Sequence, residues 1–405
     1  MGIYRDLCKS PGVVRLLTSQ LIARLPFGMF TIAIILHIEH RFHNYSSAGA
    51  VLAAISIGQA VSGPVTSRLM GRFGIRPVIL VTSTVCALSF AAIALAPLEL
   101  PPIIAIAAVA GLSMPPITSA VRTIYPKIVP GNLLSGLYSM DATAQEIIWV
   151  CGPVLSVFIS VQIAPDIGVL VSSAIIFGGG VLFTITPEIG KVRIPRSRRS
   201  FGAVLSRPTV WLATVLGFLY IAYFAALETG VVAIFGHESF DGGIALACNA
   251  VGSFIGGFLI GHRPLTPFAI PLRFAACGFG TAMCLFSGET WWLCLSLLLS
   301  GLGSAPAFAA LSALISSTVK FSDTSEAFGW SMTGQLVGAA LGATLAGVAV
   351  DHFGQNGAFV VALCGLGLAI LVSIAAFRIV PDLRGKDASP IADTEKITVL
   401  SQAIS

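Results

Sequence analysis

Along this chain, apolar runs of roughly 20 residues follow one another with only short polar breaks. Each run is long enough for a helix that crosses a bilayer. Closed barrels show alternating segments of about ten residues, whereas these runs are continuous, so helices that satisfy their own backbone must do the spanning. The pattern predicts about twelve spans, at 13–37, 47–70, 77–97, 102–124, 133–162, 167–186, 209–235, 243–261, 266–286, 291–318, 326–350 and 357–379. The first run is too long for a signal-peptide core and lacks a small-residue cleavage pattern, so it is read as the first span.

Composition agrees with that pattern. The 405 residues are 56% hydrophobic and only 10% charged, with a mean hydropathy of +0.92, against about 25% charged residues in soluble domains. Lys and Arg are distributed unevenly. With the N-terminus inside, the inner loops hold Arg5, Lys9, Arg68, Arg72, Arg76, Arg122, Lys127, Arg263, Arg273 and Lys320, while the outer loops hold essentially Arg41. The expected topology is multi-pass in a plasma (inner) membrane, with both termini cytoplasmic. The segment 187–208 carries Lys191, Arg193, Arg196, Arg198, Arg199 and Arg207 and reads as a basic linker. Retention on the inner side and attraction to anionic headgroups account for it, so no nucleic-acid partner is expected. The linker separates a bundle at 1–186 from another at 209–380. The tail 381–405, with Asp382, Asp387, Asp393 and Glu395 against Arg384, Lys386 and Lys396, reads as disordered.

The two halves echo each other. GPVTSRLMGRFGIRP from Gly63 on span 2 answers GSFIGGFLIGHRP from Gly252 on span 8, and Gln145 and Gly152 on span 5 answer Gln335 and Gly342 on span 11. Small residues at such spacings let helices approach closely, and facing repeats across a central site are a common plan of secondary transporters. On these residues the chain resembles the major facilitator superfamily over nearly its whole length. Gly63, Arg72, Gly74 and Arg76 match the family's span 2–3 signature, Gly71 stands where an aspartate is expected, and Gly152-Pro153 resembles the core of its exporter motif. The resemblance implies an all-α membrane protein of two pseudo-symmetric six-helix bundles. Gating is expected at Gly63, Arg72, Gly74, Arg76, Gly152 and Pro153.

Charges inside spans are costly and face a cavity or a partner. At 1.5 Å per residue, Asp141 lies ~12 Å, Glu146 ~20 Å and Arg24 ~18 Å from the inner face. Equal depth leads us to expect that Arg24 and Glu146 pair, forming with Gln145 the proton or substrate site. Asp141 shares a helix stripe with Gln145 and Gly152, well over a right angle from Glu146, and is expected at an inner gate with a basic residue such as Arg72 or Arg76. Buried ion pairs that only hold helices together are the alternative. Gln20, Gln59, Tyr220, Tyr223, Asn249 and Gln335, with Trp149 and Trp330 as aromatic walls, are cavity candidates; each singly also suits interhelical packing. Glu228 is expected at an outer gate.

His37, His40 and His43 surround Glu39, and His237 and His352 fall in outer loops, but neither zinc-protease spacing is present, so no metal site is expected. The eight cysteines form no C-x-x-C pair, most lie in apolar runs, and they read as buried hydrophobes. No phosphate-cradling G-x-x-x-x-G-K-[ST] occurs, so energy should come from a gradient and no cofactor is expected. Pro26, Pro115-Pro116 and Pro306 predict kinks in spans 1, 4 and 10. The expectation is a monomeric, non-enzymatic carrier coupled to protons that exports small, partly apolar molecules by alternating access. The alternatives are a proton symporter importing a sugar, nucleoside or organic acid, and a receptor or scaffold without flux.

Overall fold

The computed structural model describes residues 2–197, 200–235, 240–286, 289–386 and 388–393. Arg198, Arg199, His237, Asp387, Glu395 and Lys396, invoked above in loops and tail, lie outside the described residues.

Among the described residues, eleven helical segments are long and apolar enough to cross a membrane. In chain order they are span 1 (Val13–Phe42), span 2 (Tyr45–Phe73), span 3 (Ile75–Leu95), span 4 (Leu100–Lys127), span 5 (Gly131–Gln162), span 6 (Pro165–Ile185), span 7 (Pro208–Phe235), span 8 (Asp241–Ile260), span 10 (Thr290–Thr318), span 11 (Phe321–Phe353) and span 12 (Gln355–Ala375). The shorter apolar helix Ala269–Cys284 is span 9. The three spans expected to kink, 1, 4 and 10, do break, into Val13–Arg24 and Pro26–Phe42, Leu100–Leu112 and Ile117–Ile124, and Thr290–Gly301 and Ser304–Thr318. Arg273, expected in a loop, lies in the first turns of span 9 and donates to the Pro306 carbonyl of span 10 at 2.7 Å.

The same partners recur in both halves. Span 2 packs on 4, span 3 on 6, and span 1 on 5 and 6; span 8 packs on 10, span 9 on 12, and span 7 on 11 and 12. Glycine makes several of these approaches. A Cβ at Gly152 would meet Gly28 Cα of span 1 at 2.7 Å, and its echo Gly342 would meet Ala222 Cα of span 7 at 2.6 Å. Gly63 and Gly252 do not share a role. Gly63 faces Gly329 of span 11, across the halves, whereas Gly252 faces span 10 within its own half.

The end that carries the linker also carries both terminal segments. The helix Gly2–Lys9 is amphipathic, with Tyr4 and Leu7 buried and Arg5, Asp6 and Lys9 exposed. Tyr4 packs against Phe258 and His262 and donates to the Gly257 carbonyl at 2.7 Å. The described part of the tail is docked, contrary to the disorder expected for 381–405. Leu383 N–H donates to the Leu265 carbonyl at 2.9 Å, and Ile391 pairs in parallel with the chain entering span 11. Asp393 accepts the Ser322 N–H at 3.1 Å and so caps that helix. Backbone pairing and a cap offset the polar composition that suggested disorder. Cys86, Cys277 and Cys284 are buried as expected, whereas Cys8, Cys151 and Cys364 are exposed.

Candidate functional site

Span 5 presents two faces to two different neighbours. Asp141, Gln145, Ile148 and Gly152 fall within a narrow arc at 100° per residue, and this arc meets span 1. Ser139, Thr143 and Glu146 fall on the opposite side and meet span 8.

The first face builds a buried charge network. Arg24 Nη1 donates to Asp141 Oδ1 at 3.1 Å and to Gln20 Oε1 at 2.7 Å, while its Nη2 donates to Gln145 Oε1. Gln20 Nε2 donates to the same aspartate oxygen at 2.9 Å. Arg122 Nε donates to Asp141 Oδ2 at 3.2 Å, and the Arg122 carbonyl accepts the Tyr138 hydroxyl at 3.1 Å. Arg24, Arg122 and Asp141 are all nearly inaccessible. Two guanidinium groups therefore share one carboxylate, and each charge in low dielectric has an opposite charge within contact.

This corrects two expectations. Arg24 pairs with Asp141, not Glu146, because position round the helix overrides equal depth. Asp141 does not reach Arg72 or Arg76; Arg72 lies over the Phe73 ring and Arg76 beside Gly190. Arg122, assigned to a loop, is buried in the site. Its signal was present in the sequence, since Asp141 needed cations at its own level and Arg122 falls within the apolar run of span 4.

The second face crosses between the halves. Ser253 Oγ on span 8 donates to Glu146 Oε1 at 2.7 Å and accepts the Ala305 N–H of span 10 at 3.2 Å. No cation pairs with Glu146 among the described residues. Glu228 of span 7 is exposed. Nothing in the sequence marked Ser253, whose role follows from the angle at which span 8 crosses span 5.

Among the described residues, the second half has no charge network in the corresponding place. Gln335 lies beside Gly217 of span 7 and donates to Ser331 at 3.3 Å. Tyr220 and Tyr223 are buried, the former stacked on Phe274 with ring centroids 5.6 Å apart, the latter hydrogen-bonded to Thr281 and Ser300 at 3.1 and 2.6 Å. Asn249 ties span 8 to span 10 through the Leu297 carbonyl at 3.1 Å. Gln59 lines a small cavity with Met332 and Leu336 of span 11. Trp149 is exposed on the face of span 5 that carries Tyr138 at its linker end, about 20° away round the helix. Trp330 packs on Phe201 of the linker with centroids 5.7 Å apart, so it walls the linker end and not a central cavity.

The linker end is closed. Arg68 pairs with Glu326 at 3.0 Å, and the Gly202 N–H donates to the same glutamate at 2.8 Å. Ser325 donates to the Ser67 carbonyl at 2.8 Å, Thr333 to the Ala60 carbonyl at 2.6 Å, and Ser139 to the Gly257 carbonyl at 2.8 Å. Gly63, Gly74 and Pro153 complete this picture. Gly63 lets spans 2 and 11 touch, Gly74 ends span 2 at a φ of +91°, and Pro153 lies within span 5 beside the Gly28–Gly152 contact. Among the described residues, hydrogen bonds between the halves lie at or to the linker side of the middle of the spans, and none ties the far ends together. These contacts close the molecule at the linker end.

Comparison with known proteins agrees with this architecture. The Major Facilitator Superfamily model matches residues 16–277 and 243–403. An uncharacterized MFS-type transporter of Sinorhizobium fredii is 24% identical over 96% of this chain and 98% of its own length. The human organic anion transporter MFSD10 superposes with a TM-score of 0.72 at 15% identity, covering 89% of this chain and 98% of that one. The proton:xylose symporter XylE superposes at 0.71 and 14% identity over 94% and 98%. A bacterial homologue of ferroportin, solved in an outward-facing state, superposes at 0.71 and 13% identity over 89% and 98%. With its membrane-crossing helices in two matching sets, the chain belongs to the Major Facilitator Superfamily and is a multi-pass membrane transporter.

Proposed function

We propose that the chain is a proton-coupled exporter of small, partly apolar molecules, working as a monomer in the plasma membrane with both termini cytoplasmic. The placement of Glu146 carries this reading. It stands at mid-span on the surface where the halves meet, held by Ser253 of the other half and paired with no cation among the described residues. A carboxylate in such a place is tolerated when a proton cancels its charge or when water reaches it. The closed interface favours the proton, and parting of the halves admits water. With the linker end on the cytoplasmic side, as the Lys and Arg distribution supports, a proton enters from the outer side and leaves inward once spans 5 and 8 separate. Trp149, exposed on span 5, supplies an aromatic surface of the kind a partly apolar substrate needs.

One observation favours a second reading. Two guanidinium groups against one carboxylate leave the Arg24 network with a surplus positive charge, which suits an organic anion imported together with a proton. MFSD10, of the same fold, is an organic anion transporter.

Both readings are tested in liposomes containing only this protein and an internal pH dye, screened with lipophilic cations, sugars and organic acids. The parent should move protons when substrate moves, and Glu146→Gln should keep substrate exchange while losing the proton movement. Equal proton movement in both would remove Glu146 from the coupling. Lipophilic cations as the active class favour export, organic acids the symport reading, and absence of all flux the receptor or scaffold.

A further inference from the structure

A cavity of about 760 Å³ opens at the linker end between span 2 and the linker. Three guanidinium side chains line it, Arg68 and Arg72 from span 2 and Arg196 from the linker, together with the Ser197 hydroxyl. Arg68 is matched by Glu326. Arg72 and Arg196 are exposed, and no acidic side chain pairs with either among the described residues. The remaining wall is apolar and open, with Val65 40% and Phe201 51% exposed.

We propose that this cavity binds a phosphate-bearing anion, and that the headgroup of an acidic phospholipid is its occupant. Guanidinium groups present paired donors that match phosphate oxygens, and two of them without counter-charge supply the attraction. A soluble phosphate would have no use for the apolar wall. A lipid would, because the cavity sits where a membrane-crossing helix ends, with Val65 deeper along span 2 than Arg72, so an acyl chain continues along the apolar side while the phosphate meets the arginines.

The occupant also bears on the gate. Span 2 forms one wall and the linker the other, and the linker is fastened to span 11 by Ser197, which donates to Asp323 at 2.6 Å, and by the Gly202–Glu326 bond. An anion shared by Arg72 and Arg196 therefore draws span 2 toward the linker and, through it, span 11. It favours the closed linker end.

Native mass spectrometry of the full chain, released from vesicles of phosphatidylcholine with phosphatidylglycerol, reads how strongly phosphatidylglycerol is retained. The variants are Arg72→Gln with Arg196→Gln, the same pair changed to Lys, and Arg193→Gln, an exposed linker residue outside the cavity. The Gln pair should weaken retention about tenfold, equivalent to about 1.4 kcal/mol. The Lys pair should retain an intermediate amount, which separates charge from folding, and Arg193→Gln should behave as the parent. In a second arm, inorganic pyrophosphate is added to the protein in phosphatidylcholine alone and the thermal midpoint is read; no shift is expected. A midpoint raised in the parent and not in the Gln pair would keep the anion site and overturn the lipid as its source. Equal phosphatidylglycerol retention in the parent and the Gln pair, without a pyrophosphate effect, would overturn the site.

Discussion

Asp141 is the carboxylate that two buried guanidinium groups share, so removing its charge leaves both Arg24 and Arg122 uncompensated. Breaking a buried pair from one side costs about 3–5 kcal/mol. Asp141→Asn should therefore lower the thermal midpoint sharply, and adding Arg24→Gln should restore part of the loss because one stranded charge is gone. Additive losses in the double variant would mean that the two residues do not share an interaction. Much of this site was legible in the sequence. Charge inside an apolar run identified Arg24, Asp141 and Glu146, and the helical stripe put Asp141 with Gln145. The error came from matching Arg24 to Glu146 by depth, which one helix can supply, when the deciding coordinate was the direction each side chain takes toward its neighbour. That direction depends on how spans 1 and 8 flank span 5, and it is written in no local pattern.

Elements are tied at their ends as well as along their faces. After span 6 the short helix Pro187–Lys191 carries Glu188 back to the start of span 1, where Arg15 donates to both of its oxygens. These hydrogen bonds hold the Glu188 carboxyl below its ordinary value of 4.5. A group whose folded value is depressed stabilises the fold above its unfolded value and loses that contribution as pH falls through the folded one. The parent's thermal midpoint should accordingly drop on acidification below about pH 4.5 by more than that of Glu188→Gln, the excess being small because Arg15 is largely exposed. Parallel curves for the two proteins would remove the tie. Continuous apolar runs gave the spans, and prolines the three breaks, because bilayer thickness and backbone hydrogen bonding act on each element alone. The gate was less legible. Gly71 replaces the expected aspartate, and a Cβ there would meet the Pro195 carbonyl at 3.2 Å, so the linker lies across that position. The charge pair that closes the halves sits one turn earlier, at Arg68 and Glu326. Finding it required knowing that spans 2 and 11 touch, and neither sequence echo showed that contact.

At the scale of the molecule, closure at the linker end is a feature of one of the two states that alternating access requires. Ser325 of span 11 reaches the backbone of span 2 at Ser67, so cysteines at these two positions in a cysteine-free background should join on oxidation. The cross-linked protein should lose flux and recover it on reduction, while substrate binding from the opposite side persists. Full flux in the cross-linked protein would mean that this end does not open during transport. The halves are alike in helix layout but not in chemistry, with a charge network in the first and buried tyrosines in the second. Repeats in sequence revealed the layout, whereas the asymmetry lies in which residue each helix presents at its crossing. The docked tail adds a matter of timing. Asp393 caps span 11 from beyond the last span, so during synthesis the helix bearing Glu326 enters the membrane long before its cap is made. The gate is secured last, and a chain stopped short of residue 388 would arrive with all its spans in place and its gate helix untied.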